Sequence, residues 1–128
     1  MSTSSQNNSQ FLIAIVDDDQ SVCEALESLL KSIGFRTASF SSGRSFLDSA
    51  EFPDVSCAIL DISMPEMNGF ELQRHLAASR PTPIIFITAR NGQAREQALR
   101  AGAIGFLTKP FSDEALIGAL DSALGVQT

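Results

Sequence analysis

The stretch CAILDISMPEMNGFEL, residues 57–72, decides how the chain is read. Cys57 to Leu60 is a short, unbroken apolar run, as expected of a strand covered on both faces. Asp61 ends it, a turn around Pro65 follows, and a helix is expected over 68–79, stopped by the prolines at 81 and 83. A carboxylate driven against the end of a buried strand loses hydration, so it needs a partner or a chemical task.

The same unit recurs in both directions along the chain. FLIAIV (11–16) is another continuous apolar run, followed by Val22, Leu26, Leu29, Leu30 and Ile33 at helical spacing, with Gly34 as the stop. FRTASF (35–40) alternates more, which suggests a sheet edge, and a short helix over 43–50 is closed off by Pro53. IIFIT (84–88) leads into a helix over 92–101 capped by Gly102, and IGFLT (104–108) leads into a last helix opened by Ser112. Leu116, Leu120, Ala123 and Leu124 form the apolar stripe of that helix. Five such βα units are too few for an eight-stranded barrel. They predict an α/β fold with an open, parallel, doubly wound sheet and helices on both faces. One domain is expected over 11–124, with a disordered tail at 1–10 and a short tail at 125–128.

The bulk properties narrow the function. A chain of 128 residues with 44% hydrophobic and 19% charged content suits one globular domain. Its net charge of −6 argues against nucleic-acid binding by this domain, because phosphate contacts need a basic face. No apolar run approaches the roughly 20 residues of a membrane span. The start, MSTSSQNNSQ, lacks the basic and apolar segments of a signal peptide. Cys23 and Cys57 have neither metal spacing nor a disulfide framework and read as small buried hydrophobes in a reducing cytoplasm.

The polar residues gather at the strand ends. The first strand ends in Asp17, Asp18 and Asp19, the third in Asp61, the fourth in Thr88 and the fifth in Lys109. In a parallel sheet these ends share one edge, where such folds bind ligands. Carboxylates packed together repel by several kcal/mol per pair at intermediate dielectric, and one lysine does not balance them. A divalent cation does, and an all-oxygen donor set favours Mg²⁺ over zinc. The crevice reads as a receiver of a phosphoryl group. Each residue alone has an ordinary reading: Asp19 as a helix cap, Asp61 as a turn former, Lys109–Pro110 as a surface turn. Their joint placement carries the functional reading.

The segments IVDDD, LDISMPEMNG, FITA and GFLTKPF, in this order and spacing, resemble a response-regulator receiver domain of the chemotaxis CheY type over about residues 11–124. The resemblance implies a flavodoxin-like strand order of 2-1-3-4-5 and makes Asp61 the phospho-acceptor. It implies Mg²⁺ held directly by Asp18, through water by Asp17, and by Asp61 and the Ser63 backbone carbonyl. Thr88 matches the switch hydroxyl, Phe106 the switch aromatic and Lys109 the phosphate-contacting lysine. Ser63, Ala89 and Arg90 match positions that modulate the phosphoryl group, and Lys109–Pro110 matches a peptide bond often found cis.

The implied partner is a sensor histidine kinase or a phosphotransfer protein. The implied readout surface is the helix at 92–101, the strand at 104–108 and the last helix, with homodimerisation through it as one use. Gly118 in the last helix fits either close approach by another surface or plain tolerance of a weak helix. Neither direct nucleic-acid binding nor a membrane is expected. Two other readings stand beside this one. Aspartyl phosphohydrolases share the Asp, Thr and Lys but carry a second Asp two residues after the nucleophile, where this chain has Ser63. A degenerate receiver would bind partners without phosphorylation, which the intact acidic pair, acceptor, threonine and lysine oppose.

Overall fold

Three apolar segments are covered on both faces, and these three form the middle of the sheet. In the computed structural model, which describes residues 8–49, 54–79, 82–89 and 93–125, they are β1 (Leu12–Val16), β3 (Cys57–Asp61) and β4 (Ile84–Thr88), buried throughout. The flanking strands β2 (Arg36–Phe40) and β5 (Gly105–Thr108) are only partly covered. The order is β2-β1-β3-β4-β5 and every pairing is parallel. The alternation in β2 thus marks a sheet edge, as its sequence suggests.

The helices α1 (Gln20–Ser32), α2 (Gly43–Leu47), α3 (Gly69–Ser79), α4 (Gln93–Arg100) and α5 (Asp113–Leu124) connect these strands. Because side chains alternate along a strand, the sheet feeds two separate cores. Ile13, Ile15, Ile59, Ile85 and Ile87 pack under α1 and α5, against Leu26, Leu30, Leu116 and Leu120. Ala14, Val16, Leu60 and Phe86 point the other way, toward Phe46 of α2, Leu72 and Leu76 of α3, and Ala98 of α4. Burial of each large side chain contributes about 1.5–3 kcal/mol, so the middle strands are the rigid frame of the site.

The helix ends follow local chemistry. Asp19 caps α1 by accepting from the Ser21 and Val22 amides, and Ser112 caps α5 by accepting from the Ala115 amide. Gly34, at φ 100°, reverses the chain after α1 where a side chain would be strained.

Boundaries differ slightly from the expectation: β1, β2 and β5 each begin one residue later than read. Phe11 stays outside β1, and its ring meets Phe35 at 6.3 Å. The short helix ends at Leu47, not at residue 50. The tail reading needs one correction. Asn8–Gln10 form a 3-10 turn, because Asn8 Nδ2 donates to the Ile33 carbonyl (2.7 Å) and Arg36 Nε donates to the Ser9 carbonyl (2.8 Å). Of the tails expected at 1–10 and 125–128, residues 1–7 and 126–128 lie outside the described residues. No helix among the described residues is long and apolar enough to cross a membrane.

Candidate functional site

Parallel pairing delivers Asp17, Asp61, Thr88 and Lys109 to one rim of the sheet. Asp17 follows β1 and is 1% exposed. Its Oδ2 accepts from Lys109 Nζ at 3.0 Å and its Oδ1 from the Asp19 amide at 2.9 Å. Asp61 is the last residue of β3 and 4% exposed. Its Oδ1 accepts from the Ser63 amide at 3.3 Å and lies 4.0 Å from Lys109 Nζ. Asp18 faces solvent, yet one oxygen from each of Asp17, Asp18 and Asp61 lies within 4.8 Å of the others. The carboxylates singled out from sequence do meet.

Their electrostatics reflect that crowding. Burial, reinforced by repulsion from Asp17, pushes the Asp61 carboxyl up to about 6, and Lys109 offsets only part of this. Burial also works against the Lys109 ammonium. The hydrogen bond and charge of Asp17, with Asp61 and Asp19, outweigh it and hold the ammonium above its ordinary value. Asp19 belongs to the cap instead: hydrogen bonds from the Ser21 hydroxyl and amide lower its carboxyl.

Thr88, 1% exposed, ends β4, and its carbonyl accepts from the Lys109 amide at 2.7 Å. The Lys109–Pro110 bond is cis. Ser63 and Ala89 are exposed beside the rim, and Arg90 lies outside the described residues. Phe106 is part-buried on β5, opposite Phe86 in register, with Arg95 Cζ 5.9 Å from its ring centroid.

Two supports of the rim escape a reading of motifs. The Cys23 thiol donates to the Asp17 carbonyl at 3.3 Å, beneath the acidic pair; burial, with the charge of Asp17 next, pushes that thiol up to about 11. Gly69 brings the start of α3 against the backbone behind Asp61. A Cβ there would stand 2.8 Å from the Asp61 carbonyl oxygen and 3.0 Å from Ile62 Cα. The Gly69 amide donates to the Ile62 carbonyl at 3.1 Å. Asn68 and Glu71 secure the helix start by exchanging hydrogen bonds between side chain and amide, both 2.9 Å. The available signal was NGFE (68–71), a capping-box spacing with glycine at its second position.

An open five-stranded parallel sheet of this order, with acids and a lysine at its carboxyl rim, places the chain among doubly wound α/β proteins that bind ligands at that rim. The profile of the response regulator receiver domain matches residues 13–121, and the chain belongs to that family, the receivers of two-component systems. It is 47% identical over 120 residues to the response regulator protein TmoT of Ectopseudomonas mendocina, covering 92% of this chain and 54% of that protein. It is 44% identical over 115 residues to TodT of Pseudomonas putida, covering 88% and 51%. The chain thus spans about half the length of these curated relatives. A crystal structure of a response regulator receiver protein from Burkholderia phymatum superposes with a TM-score of 0.82 at 42% identity, covering 92% of this chain and 98% of that one.

Proposed function

We propose that this domain accepts a phosphoryl group on Asp61 from a sensor histidine kinase or phosphotransfer protein and relays the change through α4, β5 and α5. The observation that carries this reading is the Asp61 carboxylate at a buried strand end, 4.0 Å from Lys109 Nζ and beside two further acids. Once ionised, an Asp61 oxygen attacks phosphorus, the P–N bond of the phosphohistidine breaks, and the imidazole leaves with the bonding pair. The product is an acyl phosphate. Lys109 offsets charge on the phosphoryl oxygens, and the exposed Ala89 leaves room for them.

The donor set suits Mg²⁺: it is all oxygen, and Asp17, Asp18 and Asp61, with the Ser63 carbonyl, would hold the ion. When bound, it supplies positive charge against the phosphoryl oxygens. Ser63, where a hydrolase would carry a second acid, favours a module that keeps its phosphoryl group over one that turns over substrate. Ser63, Ala89 and Arg90 tune the lifetime of that group, and the domain catalyses its own phosphorylation and slow dephosphorylation.

The donor docks beside the crevice. Val22, Ala25, Leu26 and Leu29 of α1, with Pro110 and Phe111, line an apolar groove of about 330 Å³ that has Lys109 at its margin. A helix seated there brings its histidine toward Asp61. Phosphorylation then draws the Thr88 hydroxyl inward and Phe106 takes up the space. The readout surface carries Leu99 (52% exposed) and Ile104 (48% exposed), which suit a second copy or an output partner. The setting is the cytoplasm, in keeping with two free, buried thiols.

Intact-mass measurement after incubation with acetyl phosphate tests the reading. A single phosphoryl adduct is expected that needs Mg²⁺ and is absent from Asp61→Asn. Wild-type protein that binds Mg²⁺ but takes no adduct would replace it with a phosphorylation-independent binding module.

A further inference from the structure

We infer that Arg95 is a latch on Phe106, holding the ring at the α4–β5 surface and setting how readily it withdraws toward Thr88. This rests on the proposed switch role of Phe106 and deepens it. The guanidinium carbon lies 5.9 Å from the ring centroid, within the reach of a cation–π contact. Arg95 has no competing carboxylate: among the described residues it forms no ion pair, and the adjacent Glu96 is taken by Arg100 at 3.0 Å, one turn along α4.

Phe106 and Thr88 lie on one face of the sheet. Phe106 stands opposite Phe86, and Thr88 follows two residues later on β4, so Phe86, Thr88 and Phe106 share a face. Phe106 packs against the core beneath α2, α3 and α4. A ring that moves toward Thr88 moves toward β4 and out from under Arg95, so the contact stabilises only the outward position. A ligand-like contact made in one state alone biases the equilibrium by its full worth. For an exposed cation–π pair that is about two- to five-fold.

The test is a cycle of Arg95→Met, Phe106→Leu and the double variant, with Arg95→Lys as the charge-keeping control. The readout is the rate of mass-adduct formation with acetyl phosphate and Mg²⁺. Arg95→Met is expected to label about two- to five-fold faster than wild type, and Arg95→Lys to fall between them. Loss of a positive charge alone would slow capture of an anionic donor, so acceleration separates the latch from a general charge effect. In the Phe106→Leu background the Arg95 substitution should change nothing further. An unchanged rate in Arg95→Met, or equal acceleration in both backgrounds, overturns the latch while leaving Asp61 phosphorylation standing. If no variant labels, the acceptor reading fails and the latch fails with it. A second readout needs no phosphorylation: ring current should move the Arg95 side-chain proton resonances upfield in wild type and release them in Phe106→Leu. Resonances at ordinary positions in both proteins would overturn the latch on their own.

Discussion

Asp61→Asn is expected to make the metal-free protein more stable while abolishing its labelling. The Asp61 carboxyl titrates at about 6 in the fold against an ordinary 3.8, because it is buried and faces Asp17, with Lys109 offsetting part of the penalty. Between those values the native chain holds a proton that the unfolded chain has released. Unfolding free energy therefore falls as pH rises through this window. A gap of about 2 pH units corresponds to about 3 kcal/mol lost once Asp61 is fully ionised. Asparagine keeps the shape and an oxygen for the Ser63 amide without the charge. The variant should thus exceed wild type by about 2–3 kcal/mol near pH 8, with the difference shrinking as pH falls from about 6 toward 4 and absent near pH 3. The assay is urea unfolding in EDTA, followed by far-UV circular dichroism because the chain has neither Trp nor Tyr. The midpoint should rise by roughly 1–2 M urea at the upper pH. Adding Mg²⁺ should narrow the gap by stabilising wild type. Equal stability near pH 8, or a gap that widens on acidification, would refute the reasoning.

Two further substitutions probe the supports of the site. Gly69→Ala should destabilise by about 1–3 kcal/mol and weaken Mg²⁺ binding in titration calorimetry, since its methyl would meet backbone atoms of Asp61 and Ile62 that cannot swing aside; unchanged stability and affinity would mean that the α3 start does not brace the crevice. Lys109→Gln leaves the buried Asp17 carboxylate without its cation and should cost about 1–3 kcal/mol at neutral pH, part of it recovered by Mg²⁺. Denaturant curves with and without the ion check this, and a neutral substitution would show the pair to be idle.

The local features of this chain were legible from its residues. β1, β3 and β4 are apolar until their last positions, Asp19 caps the helix it begins, and each polar strand end lies where the next helix must start. Nothing within a strand names its neighbour, so the order of strands came from resemblance to a family and not from periodicity. The contacts that went unread join one element to another: Asn8 with Ile33, Arg95 of α4 with Phe106 of β5, and Gly69 at the start of α3 with the Asp61 carbonyl of β3. The glycines illustrate the difficulty. Gly118 stood out because glycine weakens a helix interior; within this chain nothing lies within 4 Å of where its Cβ would be, so no neighbour of its own requires the glycine. Gly69 looks no more unusual in sequence, and it is the one pressed against the backbone that carries Asp61. Local propensity counts against Gly118, inside α5, and says little about Gly69, the first residue of α3; only the packing of another element shows what Gly69 does.

The sense of the strands also governs how the domain is wired to anything attached to it. Every strand points its carboxyl end at the acidic rim, so the Asn8–Gln10 turn before β1 sits at the opposite rim, fastened to the end of α1 at Ile33. The last helix, α5, runs back from the acidic rim after β5 and closes at Gly125 with a left-handed φ of 71°. Entry and exit therefore share the far rim, a strand's length of roughly 17 Å behind Asp61. A segment joined at either end hangs from the side away from the acidic rim, so under the proposed relay a change at Asp61 would reach it through the body of the sheet and the α4–β5–α5 face, not along a short covalent tether.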